Sequence, residues 1–170
     1  AQALGGIDIL VNCAGVFPQA LIEDITDEDW SRVMRINLDG AFYACRAAAP
    51  YLKKSGKNGR IINLCSTRYL MSEAGTEAYS ASKGEIFSLT HALAISLSKY
   101  HITVNSISPG WIENYHYDTL TEADHRQHPT GRVGLPDDIA QLLLSLEVQQ
   151  ALKRLTAEQQ QVIELLFLRE

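Results

Sequence analysis

The chain has 170 residues, with 15 lysines and arginines against 20 aspartates and glutamates, and 46% of its side chains are apolar. That length suits one domain, or one domain with a short appendage, around a real core. A net charge of −5 gives no cationic footprint, so nucleic-acid binding is disfavoured, and plentiful aliphatic residues exclude extended disorder.

Three cysteines, Cys13, Cys45 and Cys65, are odd in number and widely spaced. They match neither a disulfide framework nor a zinc pair and point to a reducing compartment. No apolar run reaches the roughly 18–20 residues that span a bilayer, and the first residues lack the basic stretch of a signal peptide. A soluble, cytoplasmic chain is expected.

In chain order, residues 7–11 form a short apolar run closed by Asn12, Ala14 and Gly15, as in a buried parallel strand. With only six residues before it, the chain starts as though in mid-fold. Thr26-Asp27-Glu28-Asp29 supplies capping oxygens and first-turn carboxylates for a helix through Met34. An alanine-rich helix over about 39–55 ends in Lys53, Lys54, Ser55 and Gly56.

A second strand covers 61–65, a long helix 77–99 and a third strand 101–106, stopped by Pro109-Gly110. Strands alternating with helices at this spacing predict an α/β fold. The expected form is a partial doubly wound, Rossmann-like parallel sheet of about three strands with flanking helices. Residues 111–136 read as a polar, irregular loop over a site, and Pro136-Asp137-Asp138 opens another helix. The last 25 residues read as two amphipathic helices parted at Leu155-Thr156, with Thr156-Ala-Glu-Gln as a capping box. The expected division is therefore 1–143 and a helical tail, 144–170.

Tyr79 and Lys83 lie four apart on a predicted helix and so share one face. A free tyrosine titrates near pH 10, and a neighbouring ammonium lowers that value toward the useful range. Alone, this spacing reads as a surface pair. Its company differs: Ser66 follows the second strand, where an open parallel sheet presents polar groups to ligand. Asn37 lies between the first two helical stretches, Asn12-Cys13-Ala14-Gly15 closes the first strand, and Pro109-Gly110 the third.

These runs, N-[NC]-A-G, W-x6-N-L-x-G, S-x12-Y-x3-K and P-G in order over about residues 5–143, closely resemble the classical short-chain dehydrogenase/reductases. The resemblance implies a nicotinamide-dependent oxidoreductase acting on a small-molecule alcohol or ketone. Tyr79 would carry the proton to or from the substrate oxygen and Ser66 would hydrogen-bond that oxygen. Lys83 would lower the tyrosine pKa and hold the ribose hydroxyls, and Asn37 would anchor a water linking Lys83 to solvent. Asn12, Ala14 and Gly15 would line the cofactor's path, with Pro109, Gly110 and Ile112 facing the nicotinamide. The cofactor implied is NAD or NADP.

Three features depart from the family pattern: Cys13 stands where a second Asn is common, and Asn114 where Thr is common. No Gly-rich G-x-x-x-G-x-G turn, which would seat the pyrophosphate, occurs in the sequence. The segment carrying it would precede Ala1, so the isolated chain is expected to be inactive as a dehydrogenase and not to hold the dinucleotide by itself. The segment 145–170 resembles the start of region 4 of extracytoplasmic-function sigma factors, stopping before the helix that reads DNA; a plain amphipathic hairpin is the alternative.

His116, Asp118, Asp124, His125 and His128 crowd the long loop, but no H-E-x-x-H spacing supports a metal, and solvated loop residues are expected. Cys65 is read as a buried thiol pointing away from the catalytic face. Ser66 lacks the G-x-S-x-G elbow of a serine hydrolase. A second reading is a non-enzymatic truncated or fused module. In the family the strand at 7–11 is central and the equivalents of the helices 39–55 and 77–99 form a four-helix interface, so homo-oligomerisation is expected.

Overall fold

A computed structural model describes residue 3 and residues 5–56 and 59–143. The helical, sigma-like reading of 144–170 lies outside the described residues.

The three apolar runs become parallel strands β1 (Ile9–Asn12), β2 (Arg60–Leu64) and β3 (Thr103–Ile107), in the order β1-β2-β3. Leu10 pairs with Ile61 and Ile61 with Val104, and because side chains alternate along a strand all three face the same way. This is an α/β arrangement, a three-stranded parallel Rossmann-like sheet with flanking helices. Among the described residues β1 is an edge strand.

Helix α1 (Asp27–Met34) begins where Thr26 accepts the Asp29 N–H at 3.0 Å, with three carboxylates in its first turn. The sequence suggests a break before the next helix. Instead the chain continues without interruption through a π-helical turn, Arg35–Asp39, into α2 (Gly40–Leu52). Such wide turns favour functional positions, and Asn37 sits inside this one. Helix α2 stops at Leu52, earlier than residue 55: Ser55 Oγ donates to the Leu52 carbonyl at 2.8 Å, and Gly56 adopts a left-handed φ of 75°.

Helix α3 (Glu77–Leu97) is followed by a 3₁₀ turn, Ser98–Tyr100, and by His101 at φ 58°. The core packs Cys45, Ala48 and Leu52 of α2 and Leu97 of α3 onto Ile61, Val104 and Ile102. Both helices therefore cover one face of the sheet. A smaller cluster of Ala41, Cys65 and Ile86 lies toward the carboxyl ends of the strands, where the site residues collect.

The chain divides into two compact units, Ala1–Ser108 and Pro109–Glu170. In the second, residues 111–136 are more ordered than their composition suggests. A 3₁₀ turn (Tyr117–Thr119) precedes α4 (Glu122–Arg126), which Thr121 and Asp124 close as a reciprocal capping box. The T-x-x-D signal was present, but five residues are too few to show a helical period. Helix α5 (Pro136–Leu143) starts at the proline the sequence marks. No described helix is long and apolar enough to cross a membrane.

Candidate active site

Asn12 ends β1 and is fixed by its neighbour strand. Its Nδ2 donates to Asn63 Oδ1 at 2.7 Å and to Cys45 Sγ at 3.3 Å, and Asn63 Nδ2 donates to Thr90 Oγ1 at 2.8 Å. Thr90 in turn donates to the Ile86 carbonyl at 2.7 Å. This chain of buried polar groups spans β1, β2 and α3, and each unmet member would cost about 1–3 kcal/mol. Burial raises the Cys45 thiol pKa, with the Asn12 amide opposing part of the rise. Asn63 and Thr90 were missed in the sequence because nothing local distinguishes them.

Beyond Asn12 the backbone is open: Cys13, Ala14 and Gly15 are exposed. Asn37 clasps the following residue from both sides, accepting the Val16 N–H at 2.8 Å and donating to the Val16 carbonyl at 3.0 Å. It also donates to Ser82 Oγ at 2.9 Å, and Ser82 donates to the Tyr79 carbonyl at 2.7 Å. The π turn thereby ties the loop after β1 to α3.

Lys83 is buried, and its Nζ donates to the Leu64 carbonyl at 2.7 Å. A Cβ placed on Gly15 would lie 3.3 Å from Asn37 Oδ1 and 3.7 Å from Lys83 Nζ. Gly15, Asn37 and Lys83 therefore meet at one point, and the glycine leaves a hollow beside the ammonium. Cys65 is a buried thiol, donating to the Lys83 carbonyl at 3.0 Å.

Ser66 extends from the end of β2, where its Oγ accepts the Arg68 N–H at 3.2 Å and hydrogen-bonds the Tyr79 side chain. The Lys83 Nζ stands 5.6 Å from the Tyr79 ring centroid. Burial pushes the Tyr79 hydroxyl above its ordinary value; the Ser66 hydrogen bond opposes this, Cys65 adds to it, and Arg68 opposes it. Burial likewise pushes Lys83 down, against the opposing influence of Cys65 and Cys13. The net shift of Tyr79 is thus upward, with burial its largest cause. Desolvation disfavours the charged form of both groups, and the Lys83 ammonium hydrogen-bonds the Leu64 carbonyl.

The first unit thus brings together Gly15, Asn37 and Lys83, and pairs Ser66 with Tyr79; Asn12 is anchored in the Asn63 network. Pro109, Gly110 and Ile112 belong to the second unit. There Ile112 bridges in parallel to Gly134, and a Cβ on Gly110 would lie 3.7 Å from His128 Nδ1. His125 Nδ1 accepts the Val133 N–H at 3.2 Å, while Asp124 caps α4. Among the described residues no three His, Cys, Asp or Glu side chains are grouped to hold a metal.

Two further residues escaped the sequence reading. Phe17 meets Tyr79 edge-on, with ring centroids 4.6 Å apart. Gly75 turns the chain into α3 at φ +76°, where a Cβ would come within 3.2 Å of the Ala20 carbonyl. Its signal was available, a glycine just before a helix, but its partner lies 55 residues away in sequence (75 − 20).

The family model described as enoyl-(acyl carrier protein) reductase matches residues 1–160. An uncharacterized oxidoreductase of Thermotoga maritima is 49% identical over 153 residues, covering 85% of this chain and 59% of that protein. A 3-oxoacyl-[acyl-carrier-protein] reductase of the same organism is 36% identical over 149 residues, covering 85% and 60%. An NADP-dependent (R)-specific alcohol dehydrogenase of Lentilactobacillus kefiri is 34% identical over 152 residues, with the same coverage. Among solved structures, an apo SCOR enzyme from Clostridium thermocellum superposes with a TM-score of 0.77 at 37% identity, covering 85% of this chain and 57% of that one. The chain spans about 60% of the length of these curated relatives. On the family match and these relatives, the chain belongs to the short-chain dehydrogenase/reductase family.

Proposed function

We propose that this chain carries the acid–base half of a nicotinamide-dependent oxidoreductase acting on an alcohol or ketone. The observation that carries the reading is the meeting of Ser66 with Tyr79 beside Lys83, at the carboxyl ends of the strands. Tyr79 carries its proton at neutral pH and so holds one to donate to a carbonyl oxygen in the reductive direction; lowering its pKa on binding would make it the stronger acid. Ser66 adds a second donor to the same oxygen as charge develops there.

The hollow at Gly15, bounded by Asn37 and Lys83, fits the nicotinamide ribose of NAD or NADP: an ammonium stands ready for its hydroxyls, and the exposed backbone of Ala14 and Gly15 allows close approach. When bound, that cofactor would supply or accept the hydride. Asn12 would hold the end of β1 in place beneath it, and Pro109, Gly110 and Ile112 complete the proposed set on the strength of their motif alone. The Asn37 clasp supports a positioning role for that residue.

Exposed Phe42 and Tyr43 on α2 and Phe87 and Ile95 on α3 support self-association through these helices. The three free cysteines fit a cytoplasmic location.

The test exchanges residues 5–143 into the Thermotoga maritima oxidoreductase. Turnover should persist in that chimera. Tyr79→Phe should then lower it about 10²–10⁴-fold, the range for proton transfer by a positioned side chain, with nucleotide affinity nearly intact. Retention of most activity would remove Tyr79 from the mechanism.

A further inference from the structure

The geometry points to a substrate whose carbonyl carries an apolar, aryl or alkyl, substituent, seated against Phe17 and chosen by it. This inference rests on the oxidoreductase reading of Ser66 and Tyr79 and names the class of molecule they would meet.

Phe17 is 49% exposed although its ring packs edge-on against Tyr79. It begins a run after β1 that continues to Leu21 and Ile22, both exposed. That run is stitched to the segment before α3 by a hydrogen bond from the Ala20 N–H to the Gly75 carbonyl, 3.1 Å long. The second segment starts at Ser66 and carries Leu70 and Met71, 75% and 69% exposed. Single exposed aliphatic residues need no explanation, but five on two short, joined segments that also carry Ser66 and touch Tyr79 do. Sites for small molecules combine such an apolar lining with a few fixed polar groups.

The same segments disfavour a charged substituent. Arg68, the cation nearest the serine in sequence, is paired with Glu73 at 2.5 Å and donates to the Met71 carbonyl at 3.2 Å. Its charge is matched within its own turn, so among the described residues of these two segments no cation is left unpaired for a carboxylate or phosphate. A polyhydroxylated substrate would lose hydration against Phe17, Leu70 and Met71 without gaining partners.

Saturation-transfer NMR on the 170-residue chain tests this without cofactor or turnover, using acetophenone and dihydroxyacetone as probes. Acetophenone ring protons should receive saturation and dihydroxyacetone should not. Phe17→Ser should weaken acetophenone binding about tenfold, the loss expected for one removed apolar contact of this size, and Phe17→Leu by less than about threefold. Should Phe17→Ser lose its circular-dichroism signature of folding, Met71→Ser carries the comparison, with a smaller loss in the same direction. Equal saturation of both probes, or acetophenone binding unchanged in the folded variants, overturns the inference and leaves the acid–base reading standing. An active Tyr79→Phe chimera would overturn that reading and leave the probe result intact.

Discussion

The two units hold their residues by different means. In the first, side chains with proposed chemical roles are fixed by buried or half-buried bonds reaching between distant segments: Asn37 to Val16 and Ser82, Lys83 to Leu64, and Asn12 to Asn63. In the second, most side-chain contacts among the described residues are short-range and wet, with half-buried bonds from Tyr117 to the Val133 carbonyl and from the Val133 N–H to His125 as the exceptions. Thr121 caps α4, Arg126 meets Glu122 one turn away, and Arg132 meets Asp138 six residues on. Buried polar bonds fix position because breaking one strands a desolvated group, whereas exposed pairs exchange readily with water. Rigid placement of acid–base groups and an adaptable connecting region fit these two modes respectively.

The largest test of that contrast is Asn37→Ala. It removes partners from the Val16 N–H, the Val16 carbonyl and Ser82 Oγ together. At about 1–3 kcal/mol for each buried group left unmet, partly relieved by entering water, a loss of roughly 3 kcal/mol is expected. Urea unfolding reads it as a lower midpoint at unchanged slope. A loss below about 1 kcal/mol would mean that the clasp is no tighter than the exposed pairs of the second unit. Asn37→Asp sharpens the point: it keeps the acceptor for Val16 but gives up both donors, and should fall between alanine and the parent.

A smaller effect is expected at Gly75. Alanine there must adopt a positive φ, costing about 1–2 kcal/mol, and its Cβ must press on the Ala20 carbonyl. The stitch between the two apolar segments should loosen, so that acetophenone saturation falls along with stability. Normal binding with lowered stability would confine the glycine to a folding role.

These residues also show what the sequence made legible. Local chemistry was readable: the strands, the capped start of α1, and the ordered set Asn37, Ser66, Tyr79 and Lys83 each carry a signal within a few neighbours. The links between those parts were not. The Asn63–Thr90 relay joins positions 27 apart and the Gly75–Ala20 approach joins positions 55 apart, and neither residue type is unusual in its own segment. The burial that raises the Tyr79 pKa was out of reach for the same reason. Spacing along a helix supplies a neighbouring charge, but desolvation depends on everything packed around the ring, which only the folded chain displays.

The smallest effect lies in the second unit, where acid should leave the Arg132–Asp138 pair intact longer than an ordinary carboxylate would allow. The guanidinium grips both Asp138 oxygens, at 2.7 and 2.6 Å, and the Leu135 N–H donates to one of them at 2.8 Å. The Arg132 hydrogen bonds and then the Leu135 N–H hold the Asp138 pKa down to about 2. An unfolded aspartate titrates near 3.9, so between these values the unfolded chain binds more protons and stability rises with pH. The contribution is therefore complete above about pH 4 and is lost as pH falls through about 2. Because the pair is exposed and screened, its effect on unfolding should be slight; the sensitive readout is the Asp138 carboxyl resonance followed through an acid titration. A midpoint near 2 that persists in salt would assign the grip to direct hydrogen bonds. A midpoint near 3.9 would leave the 132–138 turn to its backbone bonds alone, and would widen the contrast between the two units.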